Sequence, residues 1–251
     1  MRDCSTQSRN RTGPRELSVA VTPRYRLMWW VNRTVLRTLF EVRVTGTDHW
    51  PSPPFQLVAN HHNGFDPLLV LSVMPLEPRI TWFGPKEADF SRGFKNRVMA
   101  FFGGVIPYDP NRTTLTSAVR AVRRVFEADG VLGIFAEGRV GFREAELLSF
   151  EEGAAAFAAS SSVPVVPCAI VGSTELWFRR RIDVRFGAPL QTDAVRGREA
   201  RADLDARMRA AVAALLPDHE PTLPRRRPIG FLTDVLNGKD DIERRRTDAR
   251  K

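Results

Sequence analysis

The sequence predicts an α/β domain with a mostly parallel central sheet flanked by helices, preceded by an N-terminal amphipathic helix. Three observations carry this. Apolar runs of strand length alternate with helix-length segments between residues 55 and 216, the pattern of strands joined by crossover helices. The 251 residues give enough chain for one sizeable core. A hydrophobic share of 43% with 27% charged residues belongs to an ordinary globular chain, neither disordered nor a bundle of membrane spans.

In chain order, residues 1–23 are polar and Arg-rich and read as a disordered basic tail. No apolar segment directly follows these charges, so they do not form a signal peptide. Residues 24–44 hold the amphipathic helix: in RYRLMWWVNRTVLRTLF, Met28, Val31, Val35 and Leu39 share one face, and Arg26, Arg33 and Arg37 lie off it. Two readings stand for it. One is a surface helix packing its stripe on the core; the other is an interfacial membrane anchor, to which Trp29, Trp30 and the arginines are suited.

Phe55–Asn60 reads as a buried strand, and Asp66–Met74 as a helix with Asp66 at its N-cap and Pro67 at its first position. Arg79–Gly84 is a strand, Ser91–Phe102 a helix closed by Gly103-Gly104, and Val105–Tyr108 a short strand. Thr113–Asp129 is an amphipathic helix, with Leu115, Ala118, Val119, Val122, Val125 and Phe126 inward and Gly130 just past its end. Val131–Ala136 is a strand and Phe150–Ser162 an Ala-rich helix. Strands at Val163–Val171 and Ile182–Phe186 and a helix at Arg198–Leu216 follow. Pro164 and Pro167 make the Val163–Val171 strand irregular or place it at an edge, since proline cannot donate to a ladder. Residues 45–216 thus form the α/β domain, and residues 217–251 a basic, weakly ordered C-terminal tail.

The net charge of +9 is unevenly placed. Residues 1–40 hold eight arginines against two acids, and residues 222–251 hold nine basic residues against five acids. The 21 basic and 22 acidic residues between leave the body neutral. A basic chain points to a phosphate-bearing partner. A nucleic-acid-binding protein is the alternative from another class, but it wants basic residues clustered on a folded face with interleaved aromatics, and the neutral body counts against it. Arg- and Ala-rich usage also follows from a GC-rich genome. Cys4 in the polar tail and Cys168 in an apolar run fit a reduced compartment. No run approaches the ~20 apolar residues of a spanning helix.

The richest segment for chemistry is Asn60-His61-His62-Asn63-Gly64-Phe65-Asp66-Pro67, at the carboxyl end of a predicted strand, where α/β sheets place their ligands. Five residues across a glycine-containing turn let Asp66 fold back onto one nitrogen of His61 and leave the other as a base toward a hydroxyl. Asp66 as a plain N-cap, with the histidines as turn residues, is the competing reading. A metal held by His61, His62 and Asp66 is another, but His49 and His219 stand apart in the sequence and complete no site. The second segment, Ile134-Phe135-Ala136-Glu137-Gly138-Arg139, is again a strand end with a glycine turn. Arg139 there can meet an anionic oxygen bidentately, Glu137 can orient Arg139 or the turn, and an inconsequential surface Glu–Arg turn is the alternative.

These segments, in this order, resemble the 1-acylglycerol-3-phosphate acyltransferase-like glycerolipid acyltransferases. Asn60, His61 and Asp66 match the family's Asn-His-x4-Asp block, and Phe135–Arg139 its Glu-Gly-Arg block. Phe150 and Gly153 stand where the family often has Pro-Phe-Lys-x-Gly, Val163–Ile170 matches its Val-Pro-Val-x-Pro strand, and Ile182–Leu190 its closing strand and turn. The resemblance spans roughly residues 25–215. The second block departs from the family: Pro110 replaces the expected Arg, with Arg112 two residues later, so the acceptor's headgroup stays open. Ala136 also replaces the usual Pro.

The resemblance implies an O-acyltransferase that moves a fatty acyl group from acyl-CoA or acyl carrier protein to the hydroxyl of a lysolipid, with no metal or other cofactor. In that reading His61 is the general base and Asp66 orients it. Asn60, Lys86, Arg112, Glu137, Gly138 and Arg139 are the expected substrate-binding residues. The helix and basic ends would hold the enzyme on an anionic membrane surface, at the cytoplasmic face of the cell membrane, with no role for nucleic acid. A catalytically silent lipid-binding relative is the remaining alternative.

Overall fold

A computed structural model describes residues 21–84, 104–106, 115–151, 153–224 and 226–235. The expected helix at Ser91–Phe102 lies outside these residues, as do Lys86, Arg112 and most of the two tails. Among the described residues seven strands form one sheet: β1 (Glu41–Thr45), β2 (Phe55–Ala59), β3 (Ile80–Phe83), β4 (Val105–Ile106), β5 (Val131–Phe135), β6 (Val165–Val171) and β7 (Arg181–Phe186). Their order is β1-β7-β6-β2-β5-β3-β4. Every pairing is parallel except β6 with β7.

Helices cover both faces, and the pleat divides the core accordingly. Leu57, Ala59, Val166, Cys168 and Ile170 point to one side, with α1 (Pro23–Leu39) and α2 (Asp66–Val73). Val58, Leu132, Ile134, Val165 and Ala169 point to the other. There they meet α3 (Leu115–Glu127), α4 (Ala154–Ser161) and α5 (Gly197–Ala213). β2 is buried at all five positions because helices lie on both its faces, whereas β7 alternates, with Ile182, Val184 and Phe186 inward.

Several expectations are corrected. The sheet gains β1, a strand that the sequence reading places at the end of the N-terminal helix. Its register runs from Glu41↔Arg181 to Thr45↔Arg185, so residues 24–44 do not stand apart from the α/β domain. The expected inner stripe of α1 is half realised: Met28 and Leu39 pack against the core beside the buried Tyr25 and Leu36, while Val31 and Val35 are exposed. Its polar side chains face α2 instead. Trp29 Nε1 and Arg33 Nη1 donate to the carbonyls of Met74 (3.1 Å) and Ser72 (2.8 Å) at the α2 carbonyl end, and Asn32 Nδ2 to that of Leu68 (2.9 Å) in its first turn. On α3, Ala118, Val122, Val125 and Phe126 are inward as expected, but Val119 is exposed.

β6 is an interior strand despite Pro167, and Pro164 falls just before it. Pro167 stands one residue past the last β6–β7 pair, Cys168↔Phe186, and opposite Gly187, whose N–H donates to the Pro167 carbonyl at 2.9 Å. A Cβ on Gly187 would lie 2.8 Å from Pro167 Cγ, so the glycine makes room for the ring. The tail is also docked over its described part. Leu232 packs on the α1/α2 core, the Thr233 hydroxyl accepts from Leu176 N (2.9 Å), and Phe178 N donates to the Pro228 carbonyl (2.9 Å).

Candidate active site

β2 and β5 are parallel neighbours that end together, Ala59 opposite Phe135. This brings the turn after β2 beside the turn after β5, although their residues lie 76 apart in sequence. Asn60 closes β2. Its Oδ1 accepts from Ile170 N (2.7 Å) and its Nδ2 donates to Ile170 O (3.0 Å), so the amide extends the β2–β6 ladder. The side chain is fully buried. Asn60 thus serves the scaffold of the turn.

His61 is held on every side. Its N–H donates to Glu137 Oε1 (2.7 Å) and its carbonyl accepts from Gly141 N (2.7 Å). Its ring stacks on Phe135 with centroids 4.2 Å apart, and Phe135 stacks on Trp82 at 4.6 Å. Nδ1 meets Asp66 Oδ2 at 2.9 Å. With Nδ1 so engaged and the side chain 18% exposed, Nε2 is the nitrogen left for an incoming group.

Asp66 is wholly enclosed at the first turn of α2, where the helix dipole favours a negative charge. Its Oδ2 accepts from His61 Nδ1, His62 N (2.6 Å) and Asn63 N (2.8 Å). These donors precede the helix, and Phe65 occupies the N-cap. The plain N-cap reading of Asp66 is thereby replaced: the carboxylate organises the turn and faces the imidazole. Among the described residues no three His, Cys, Asp or Glu are grouped to hold a metal ion.

Glu137 is buried, and its two oxygens take the N–H groups of His61 and Leu148 (2.9 Å). Burial pushes its carboxyl up, against the pull of those N–H donors and of the neighbouring histidines. Both oxygens accept N–H groups inside the protein, so Glu137 supports the backbone of His61. Gly138 follows at φ 64°, where a Cβ would meet Glu151 Cγ at 2.7 Å. Only glycine turns the chain here, and it leaves Arg139 exposed beside the site.

Other site residues were not foreseen. Trp82 backs the His61–Phe135 stack and needs Gly133 opposite it, since a Cβ there would lie 2.5 Å from the indole. A glycine inside an apolar strand is the available signal, because it marks a close approach. Nothing in the spacing pointed to Glu144, which lies against His62, with Oε2 3.5 Å from Nδ1. Cys168 lies buried in β6, and burial pushes its thiol up, which disfavours the thiolate.

The Acyltransferase family model matches residues 41–171, from β1 to the end of β6, and so contains both turns. The chain belongs to the Acyltransferase family. It is thus an enzyme that transfers acyl groups, with His61 and Asp66 inside the matched region. No curated protein matches the chain. Among solved structures, the fold resembles that of the 1-acyl-sn-glycerophosphate (LPA) acyltransferase PlsC from Thermotoga maritima. The TM-score is 0.59, covering 76% of this chain and 79% of that one at 18% identity. The likeness shows a shared α/β architecture.

Proposed function

We propose that this acyltransferase moves a fatty acyl group from the thioester of acyl-CoA or acyl carrier protein to the hydroxyl of a lysophospholipid or related lipid. The observation that carries the reading is the His61 Nδ1–Asp66 Oδ2 bond at the carboxyl end of a central parallel strand. Nε2 of His61 takes the proton of the acceptor hydroxyl as its oxygen attacks the thioester carbon. Asp66 stabilises the resulting imidazolium. When the tetrahedral adduct collapses, the C–S bond breaks and the imidazolium returns its proton to the thiolate. The acyl group passes directly between substrates, with no acyl-enzyme. Arg139, exposed on the neighbouring turn, would take an anionic oxygen of the acceptor, with Gly138 allowing close approach; Lys86 and Arg112 are further cations for it. The activity printed for PlsC suggests a lysophosphatidate-like acceptor, while Pro110 in place of the usual Arg leaves room for another headgroup.

Such acyl chains and lysolipids concentrate at bilayers, and the outer face of α1 suits that setting. Leu27, Trp30, Val31 and Val35 are exposed there, with Arg24, Arg26 and Arg37 also exposed on the helix. No described helix is long and apolar enough to cross a membrane. The reading places the enzyme peripherally, at the cytoplasmic face of the cell membrane.

Labelled acyl donors supplied with a panel of lysolipids, and products identified by mass, test the proposal. His61→Ala and Asp66→Asn should each lower transfer by about 10²–10⁴-fold, the usual contribution of a positioned base. His61→Ala enzyme as fast as wild type would overturn it.

A further inference from the structure

The catalytic turn carries a second histidine that the proposed chemistry does not use. His62 and Glu144 are both fully enclosed. Glu144 sits at a junction: Oε2 accepts from Gly172 N (2.8 Å), and Oε1 from Thr174 N (3.1 Å) and the Thr174 hydroxyl (2.5 Å). Arg180 lies 3.9 Å away. The carboxylate thereby ties the segment after β5 to the loop after β6, and its remaining neighbour is His62 Nδ1 at 3.5 Å. Asn60 Nδ2, whose amide pins β2 to β6, lies 3.1 Å from the same nitrogen. A Cβ on Gly141 would meet His62 Cδ2 at 3.4 Å, so the ring is also packed against the residue that binds the His61 carbonyl.

An enclosed pair of polar side chains adds little stability over apolar residues of the same volume. What this one adds is a fixed position. The N–H of His62 donates to the Asp66 oxygen that holds His61, so a shift of the His62 ring moves the peptide between the two dyads. We propose that the buried His62–Glu144 pair is a positioning clamp, locking the His61–Asp66 turn to the loops after β5 and β6 so that His61 keeps its bond to Asp66. Neither residue touches substrate. The inference rests on His61 acting as the base, and it assigns the reason for the double histidine.

The test uses the full chain with Glu144→Gln, His62→Gln and the double variant. The double variant removes both titratable groups together and serves where a single variant does not fold. Misplacing a base by a fraction of an ångström should lower kcat by about 10–100-fold with KM within about threefold. The double variant should lose no more than the worse single variant, as coupled residues do. A second readout needs no activity. In protein labelled with ¹⁵N-histidine, the proton shared by His61 Nδ1 and Asp66 should give a protected downfield signal, lost in Asp66→Asn and in Glu144→Gln. Wild-type kcat in the folded variants, a loss confined to KM, losses that multiply independently, or an unaltered signal in Glu144→Gln would each overturn the clamp. Failure of the base reading is distinct: it would appear as undiminished transfer by His61→Ala, while the signal still decides the clamp.

Discussion

Asp66 and Glu144 are both enclosed carboxylates, and each is surrounded by N–H groups placed by neighbouring turns. Burial by itself would raise the Glu144 carboxyl. The hydrogen bond and charge of His62, with Thr174 and Gly172, outweigh it and bring the group down to about 2. For His62, burial lowers the basicity of the ring, but Glu144, Asp66 and Glu137 together raise it. The signs give a pH window. Glu144, depressed on folding, stabilises the protein above the unfolded carboxylate value of ~4.3 and loses that contribution as pH falls toward 2. His62, raised on folding, stabilises below ~6.5 and loses its contribution as pH climbs through the folded value. Glu137, raised by burial, acts oppositely to Glu144 on the acid side. Urea unfolding from pH 5 to 2 should therefore show a steeper loss of stability in wild type than in Glu144→Gln. Parallel curves would contradict this assignment.

Among the elements, α1 and the C-terminal segment matter beyond their own length. α1 serves the carbonyl end of α2 through Trp29 and Arg33 and its first turn, which begins with Asp66, through Asn32. The C-terminal segment reaches the His61–Asp66 turn directly, with Asn63 Nδ2 donating to the Thr233 carbonyl at 3.4 Å. It is further fastened by Arg227 to Glu175, by Arg227 over the Trp177 ring, and by the Thr233 hydroxyl between the N–H and carbonyl of Leu176. Thr233→Val removes that hydroxyl and leaves the Leu176 N–H enclosed without its acceptor, at a cost of about 1–3 kcal/mol. Chemical unfolding should show the loss, and amide exchange at Leu176 should quicken. Unchanged protection there would mean that the segment is not fastened as described.

On the scale of the whole molecule, the neutral body stands between basic ends, with an apolar helix face turned outward. Leu27 and Trp30 are each 60% exposed, so replacing them costs the core little. If α1 meets the bilayer as proposed, Leu27→Gln/Trp30→Gln should weaken sedimentation with anionic vesicles by about tenfold or more. Far-UV circular dichroism should be unchanged. Wild-type sedimentation would remove α1 from the membrane contact.

The sequence by itself determined the α/β class, most strand and helix positions, and the pairing of His61 with Asp66. These are local matters: burial patterns follow the period of each element, and a five-residue turn is short enough to bring one imidazole to one carboxylate. Tertiary structure decided what lies across the sheet. Parallel pairing of β2 with β5 made Glu137 a support for the backbone of His61, and pairing of β2 with β6 turned Asn60 into a ladder extension. The exposure of Val31 and Val35 on α1, the addition of β1 to the sheet and the meeting of His62 with Glu144 all depend on partners remote in sequence. An arginine, tryptophan or glutamate has the same local pattern whether it faces solvent or closes another element's hydrogen bonds. Only the packed neighbours supply that difference.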